Sequence, residues 1–328
     1  MLPITQRLSQ QLNAFTRLVT DQETRQQLQQ SLQRINPKFN HLKIYQHFQS
    51  MARVDELNNF CLSSTRENLK HFISAKVWVD KPKYWHQAHT FDGPVIFVTP
   101  HYGPFAIGCL KAVLDMGENK TVNAFYDPPE KNPTTAVYKE VLSSLGDKFN
   151  PIFNDNRGLV RALKCLKNKQ ILTMMPDVFD LSGQSISIPF FGHFTTAMAG
   201  TAFLALKTNA LIMQAYCVPD NNGGVKCILH KPFQFKSTDD FEQDTYDLTS
   251  HLFKSIEQQL AHAPQHWIYL RQLNNRLGLP LPEQPSFSMS KHKILALANS
   301  LQLETASIKS ALNVANSHVD LNKSQNNF

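Results

Sequence analysis

The chain has 328 residues, a formal net charge of +7 and an isoelectric point of about 9.1. Its hydrophobic fraction of 42%, charged fraction of 18% and mean hydropathy of -0.32 exclude a disordered or membrane-embedded chain. The length suits one large domain with a smaller annex. The basic balance favours an acidic partner (nucleic acid, anionic lipid or an acidic carrier protein), unless it reflects an ordinary basic surface.

Cysteine usage and the first residues bear on the compartment. The five cysteines form no C-x-x-C pair, and an odd count argues against a disulfide framework or a zinc knuckle. We therefore expect reduced, mostly buried thiols in a cytoplasmic protein. Residues 1–20 lack the apolar core of a signal peptide, and nowhere do about 18 apolar residues run together as a spanning helix requires.

Residues 1–76 have the pattern of a helical cap. Apolar residues recur at helical spacing around Leu12 to Val19 and again around Leu42 to Phe48. Strand signals are absent from this part of the chain, and Pro37 is expected to break the helical pattern.

From Val77 onward, short apolar runs alternate with helical patterns. Strands are predicted at residues 94–99, 121–126, 170–175, 210–218 and 225–230. The last should form a hairpin, because it follows an Asn-Asn-Gly-Gly turn. Helices are predicted around residues 104–116, 133–145, 157–167, 197–208 and 241–262. This alternation predicts an α/β fold with a mostly parallel central sheet flanked by helices, whose chemistry gathers at the carboxyl ends of the strands.

The end of the chain has a different pattern. Residues 281–286 read as a linker, residues 291–316 as amphipathic helices, and the last dozen as a polar tail. We expect three parts: a helical cap at 1–76, an α/β domain at 77–280, and a C-terminal helical extension at 281–328.

His101 is the first candidate for chemistry, because it directly follows a predicted buried strand and precedes a helix. An imidazole there is suited to act as a general base toward an acceptor hydroxyl or amine. Backbone N–H groups of the following helix would be placed to hold an oxyanion. The alternative is a structural histidine.

Asp177 ends another predicted strand, in the run Met174-Met-Pro-Asp177, with Asp180 close by. Asp177 is positioned either to hydrogen-bond an imidazole or to cap a loop. Phe190 and Phe191, in Pro-Phe-Phe-Gly, would line an acyl channel or belong to the core.

Arg157 and Arg161 are spaced to share a helix face, where they would grip a phosphate of a phosphopantetheine arm or form a solvated basic surface. The chain has no G-x-S-x-G, P-loop, G-x-G-x-x-G or H-E-x-x-H motif, and its histidines show no metal spacing. We therefore predict neither a metal nor a bound cofactor.

Taken in order, several runs resemble the bacterial lipid A biosynthesis (late) acyltransferase family, which is related to the glycerophosphate acyltransferase fold. The resemblance covers residues 90–276. It rests on the strand leading into His101 and on the runs at 125–133, 157–163, 174–177, 189–192, 195–202 and 264–271.

The resemblance implies transfer of an acyl group from an acyl carrier protein or coenzyme A thioester to a hydroxyl, with His101 as the base and the neighbouring Tyr102 at the substrate. The family usually places an acid five residues after this histidine, where this chain has Ala106. The His-acid dyad is thus broken in sequence. Asp177 or Asp180 is the candidate replacement.

Two further departures concern charge. The expected Tyr-Arg-Pro is Tyr126-Asp127-Pro128, and Leu145-Gly146-Asp147 lacks an arginine common in the family. Loss of cations argues against the doubly phosphorylated lipid A precursor as acceptor. Asp127 at the substrate would suit a neutral or cationic acceptor such as an amine. The family's N-terminal membrane anchor is also missing, so we expect a cytoplasmic enzyme, with peripheral contact at the inner membrane left open.

Three functional hypotheses follow. The first is an acyltransferase acting on another hydroxyl or amine acceptor, as in natural-product or lipopeptide assembly, with an acidic carrier protein as partner and no nucleic acid. The second is an acyl-thioester hydrolase, in which water replaces the acceptor. The third is a non-catalytic member that binds an acyl chain or a carrier protein. The sequence does not determine the oligomeric state.

Overall fold

The computed structural model describes residues 4–117, 119–131, 135, 148–155, 157–177, 185–220 and 222–278. The chain begins with four helices: α1 (Ile4–Thr20), α2 (Gln22–Ile35), α3 (Leu42–Ser63) and α4 (Arg66–Lys76). The side chains of Asp21 and Thr65 cap α2 and α4 by accepting hydrogen bonds from backbone N–H groups of the first turn. The predicted break near Pro37 is confirmed, since α2 ends before it and α3 begins after it.

Nine strands lie in the described part of the α/β region, and the predicted fold class is confirmed. They are β1 (Val77–Val79), β2 (Val95–Val98), β3 (Val122–Tyr126), β4 (Phe149–Phe153), β5 (Ile171–Met174), β6 (Ser185–Phe190), β7 (His193–Met198), β8 (Leu211–Pro219) and β9 (Val225–Leu229). Seven of them form one sheet in the order β1-β9-β8-β2-β5-β3-β4. All neighbours in this sheet are parallel except β8 and β9, which form the predicted hairpin.

Helices separate the strands: α5 (Pro82–Thr90), α6 (Phe105–Met116), α7 (Gly158–Lys167), α8 (Gly200–Thr208) and α9 (Phe241–His262). Two 3₁₀ turns, Pro264–His266 and Leu270–Gln272, and the short α10 (Leu273–Arg276) follow. The helices predicted around 104–116, 157–167 and 241–262 are confirmed. Apart from Thr135, the one predicted around 133–145 lies outside the described residues.

Two predictions about local structure need correction. The helix predicted around residues 197–208 is present but begins at Gly200, because residues 193–198 pair with β6 in an antiparallel hairpin. The hairpin turns at Phe191 and Gly192, both with positive φ (49° and 70°). The aromatic run at residues 263–271, which directly follows a long helix, also predicts a strand, but it does not form one. Trp267 makes a single bridge to Tyr102, and the chain then winds into a 3₁₀ turn.

The buried residues of β2 show how the sheet is covered on both faces. Val95 and Phe97 pack into a cluster with α4, α5 and α6, whereas Ile96 and Val98 pack into a cluster with α7, α8 and α9. All four residues are buried, as expected for the inner strand of a parallel sheet.

A third hydrophobic cluster joins α1, α2 and α3 to the β6–β7 hairpin, α9 and the segment after it. Polar contacts add to this packing, because His47 of α3 contacts the Gln265 carbonyl (Nδ1···O 3.0 Å) and Ser50 contacts His266 (Oγ···Nδ1 2.8 Å). The segment in turn contacts the loop after β2, where Gly103 N–H donates to the His266 carbonyl at 2.7 Å. The N-terminal helices therefore support the loop that carries His101.

The remaining expectations concern cysteines, membrane spans and domain limits. All five cysteines are buried and unbridged. Within the described ranges, no helix combines the length and apolarity that crossing a bilayer requires. The linker and the C-terminal helices predicted after residue 280 lie outside the described residues, and the division into three parts stays a prediction.

Candidate active site

His101 and Asp177 lie at the same edge of the sheet because their strands are paired neighbours. β2 and β5 run parallel with Val98 opposite Met174, so both chains leave the sheet at the same level. The Thr99 N–H donates to the Met174 carbonyl at 2.9 Å and continues the ladder for one more residue. His101 follows two residues later, and Asp177 follows Met174 by three.

The Asp177 carboxylate holds His101 at two points. Its Oδ1 lies 2.9 Å from His101 Nδ1, and its Oδ2 accepts from the His101 backbone N–H at 2.9 Å. The Trp267 indole N–H also donates to Oδ2, at 2.9 Å. An ionised carboxylate only accepts, so Nδ1 carries the proton and the lone pair of Nε2 is left available as a base.

The environment keeps Asp177 ionised. Its side chain is only 2% exposed, whereas that of His101 is 15% exposed. Burial by itself raises the pKa of Asp177, but the charge of His101 and the hydrogen bonds from His101 and Trp267 outweigh it and lower the pKa below its ordinary value. The pair therefore combines a buried, charged orienting group with a histidine that remains accessible.

Aromatic rings fix the imidazole from two sides. The rings of Phe105 and Tyr269 lie 5.0 Å and 4.9 Å from the His101 ring, centroid to centroid. The Arg276 guanidinium stacks over Tyr269 at 4.3 Å and donates to the Asp177 backbone carbonyl at 3.3 Å. Burial lowers the pKa of Arg276 to about 10, opposed by Tyr269 and Asp177. Arg276 remains a cation at neutral pH.

Gly103 lets the loop after His101 approach the sheet closely. Its φ is +57°, and a Cβ atom at this position would lie 2.1 Å from the Cys217 carbonyl oxygen of β8. A side chain would therefore push the loop away from β8. The loop is held on its other side by the Ile268 N–H, which donates to the His101 carbonyl at 2.9 Å.

A cavity of about 100 Å³ opens beside His101. Its described lining is mostly apolar, with a few hydroxyl, amide and carboxyl groups. The residues that line it are His101, Phe125, Tyr126, Asp127, Thr135, Asn154, Met174, Met175, Pro176, Met198, Gly200, Thr201 and Tyr269. Lysine and arginine are absent from this described lining. Asp127, one of the predicted substrate residues, is part of the lining, and its Oδ1 accepts from the Asn154 side-chain amide at 3.0 Å.

Other predicted substrate residues lie away from the cavity. Tyr102 is fully buried, and its hydroxyl donates to the Ala263 carbonyl and accepts from Gln259 at 3.0 Å. Its side chain belongs to the core beneath the loop. Phe190 is buried against Phe253, 5.6 Å between ring centroids. Phe191 follows Phe190 in the hairpin turn and packs against the same cluster, so the apolar wall of the cavity comes from methionines and Phe125.

The two arginines predicted to grip a phosphate do not reach the cavity. Arg157 is exposed at the start of α7. Arg161 pairs with Asp155 at 2.8 Å and donates to the Phe153 carbonyl at 3.0 Å. Asp180 lies outside the described residues, as do residues 145–147.

Trp267, Tyr269 and Arg276 surround the dyad, but none of them was predicted as a site residue. The segment containing Trp267 and Tyr269 carries a visible signal, a run of aromatic residues after a long helix, yet its contacts depend on the fold. Within the described ranges, no group of three or more His, Cys, Asp or Glu side chains is placed to hold a metal ion.

A histidine oriented by a buried carboxylate, beside an apolar cavity at the carboxyl edge of a parallel sheet, is chemically able to act as a general base toward a nucleophile. The sequence model of the bacterial lipid A biosynthesis acyltransferase family matches residues 8–275, so the chain belongs to that family, as its motifs predicted. The match extends beyond the predicted 90–276 to the N-terminal helices. No curated protein matches the sequence.

Proposed function

We propose that this chain transfers an acyl group from a carrier-protein or coenzyme A thioester to a hydroxyl or amine acceptor other than the lipid A precursor. The observation that carries the proposal is the contact between His101 and Asp177 beside the apolar cavity. Asp177 takes the orienting role that the family resemblance assigns to position 106, where this chain has Ala106.

In the proposed reaction, His101 Nε2 accepts the proton of the acceptor as its oxygen or nitrogen attacks the thioester carbonyl carbon. The carbon–sulfur bond then breaks, and the imidazolium returns the proton to the departing thiolate. The Asp177 carboxylate stabilises the imidazolium between these steps and keeps Nε2 directed at the substrate. The products are the acylated acceptor and a free thiol.

Three features support the proposed acyl donor and acceptor. Met174, Met175, Met198 and Phe125 provide an apolar and adaptable wall for an acyl chain. The net charge of +7 favours docking of an acidic carrier protein. The described lining carries no arginine or lysine for the phosphates of a lipid A precursor. We therefore propose an acceptor from the assembly of a natural product or lipopeptide.

Two alternatives are hydrolysis of the thioester and a non-catalytic binding role. Hydrolysis of the thioester would use the same dyad with water as the nucleophile, and no feature of the described site favours it over transfer. A non-catalytic role drew its support from Ala106. The hydrogen bond between His101 and Asp177 weighs against that reading, because the acid is supplied from β5.

The proposal is tested by the variants His101→Ala and Asp177→Asn with acyl-carrier and acyl-coenzyme A thioesters. We expect about 10²- to 10⁴-fold slower thiol release for both, since one removes the base and the other favours the wrong tautomer. The matched control is His71→Ala, an exposed histidine of α4. Unchanged turnover of His101→Ala would disprove the catalytic role, and a free acid as sole product would favour hydrolysis.

A further inference from the structure

The cavity beside His101 is unbalanced in charge. Apart from tyrosines, His101 and Asp127 are the ionisable side chains of its described lining. Asp127 follows the last residue of β3, and it accepts one hydrogen bond, from the Asn154 amide that follows β4. Within the described residues the structure records no ion pair for Asp127, although its side chain is only partly exposed.

Two cations of the described segments near Asp127, Arg161 and Lys131, are engaged elsewhere. Arg161 pairs with Asp155, an exposed residue at the same edge of the sheet. Lys131 donates to the Asn154 backbone carbonyl at 3.1 Å and does not line the cavity. Among the described residues, Asp155 is thus paired with a cation, whereas Asp127 on the cavity is not. A carboxylate that lines a cavity can form a charge-assisted hydrogen bond with a cationic ligand.

We infer that the acceptor is a cationic amino alcohol whose ammonium group pairs with Asp127 while its hydroxyl reaches His101. This inference rests on the proposed function. An ammonium paired with a carboxylate keeps its proton and is no nucleophile, so the hydroxyl is the group acylated. The oriented histidine suits a hydroxyl acceptor, because the proton of the hydroxyl must be removed as its oxygen attacks.

The atoms balance in this step. The hydroxyl oxygen bonds to the thioester carbonyl carbon, and its proton passes to His101 Nε2. The carbon–sulfur bond then breaks, and the departing sulfur takes that proton to give the free thiol. The ammonium group stays bound to Asp127 throughout. A phosphate in place of the ammonium would face Asp127 with like charge, and the described lining offers no cation to offset the repulsion.

The experiment compares ethanolamine, ethylene glycol and hydroxyethyl phosphate as acceptors with one acyl thioester donor. For the wild type we expect ethanolamine to have the lowest KM and the phosphate to be acylated most slowly. Asp127→Asn should raise the KM for ethanolamine about tenfold or more, as expected on losing a charge-assisted contact, and change that for the glycol less than about twofold. The matched control Asp155→Asn should leave all three unchanged.

Three outcomes overturn the inference: an equal rise in KM for ethanolamine and the glycol in Asp127→Asn, a wild type that does not prefer ethanolamine, or acylation on nitrogen in early samples quenched in acid, which blocks O-to-N acyl migration. Failure of the proposed function is seen separately, as a wild type that consumes no thioester. Binding of ethanolamine, measured by saturation-transfer NMR without donor, then decides. Binding that is lost in Asp127→Asn sustains the amino-alcohol site, and binding that is absent or unaffected refutes it.

Discussion

At the scale of single residues, the buried Asp177 carboxylate keeps its charge because donors point at both of its oxygens. His101 supplies two of these donors and Trp267 supplies the third. A hydrogen bond to a buried ionised group contributes more than one between neutral groups. The charge of Asp177 orients His101. This charge therefore depends in part on Trp267, which lies 90 positions further along the chain.

Trp267→Phe removes one of these donors while keeping most of the aromatic packing. We expect the variant to lose about 1.5–3 kcal/mol of unfolding free energy, measured by urea denaturation, and to have a lower kcat. The matched control is Trp78→Phe. The indole N–H of Trp78 donates to Asp220 on the surface, and this tryptophan is 44% exposed. Equal effects of the two substitutions would show that the bond to Asp177 has no special weight.

At the scale of elements, the α3 helix and the turn at Pro264–His266 each carry one histidine that contacts the other element, the buried His47 and the partly buried His266. Burial lowers the pKa of His47 and of His266 to about 4. Both take part in hydrogen bonds that connect α3 to the turn, and the turn contacts the loop after β2. Protonation of either histidine would oppose the packing that supports His101.

The free energy of unfolding should therefore fall as the pH falls from about 6.5 to about 4, because the unfolded chain takes up protons that the folded chain refuses. Each of the two histidines contributes a slope of up to about 1.4 kcal/mol per pH unit. His193, His230 and His251 also have lowered pKa values and add to the slope. Their shifts have the same main cause, burial of the imidazole.

Urea denaturation at several pH values, with His266→Gln beside the wild type, measures the contribution of one histidine. We expect a shallower slope for the variant, whereas His86→Gln, an exposed histidine of α5, should keep the wild-type slope. A slope that is the same in all three proteins would mean that His266 is not held neutral by burial.

At the scale of the whole molecule, the net charge of +7 should increase the rate at which the protein meets an acidic donor. If the donor is a carrier protein, kcat/KM should fall several-fold when the ionic strength rises from about 0.05 M to about 0.3 M, because salt screens the attraction. An uncharged acyl-pantetheine thioester is the control and should show little salt dependence. Equal salt dependence for the two donors would contradict electrostatic docking.

Local patterns were sufficient to predict most elements of the sheet. The strands that contain Val95, Ile171 and Leu211 are short apolar runs bounded by helical patterns, and each was predicted close to its observed limits. The β6–β7 hairpin was not predicted in full, because its apolar and polar residues do not separate it clearly from a helix start. Its turn depends on positive φ at Phe191, a conformation rarely expected of phenylalanine.

The sequence by itself determined the fold class, the family and the edge of the sheet where His101 and Asp177 lie, because strand ends follow from local periodicity. Only the tertiary structure decided that Asp177 contacts the imidazole, that Trp267 donates to the same carboxylate, and that Tyr102 lies in the core. These contacts depend on which strands are neighbours, on their register, and on the direction in which each side chain leaves the backbone. None of these properties is encoded in the spacing of residues along the chain.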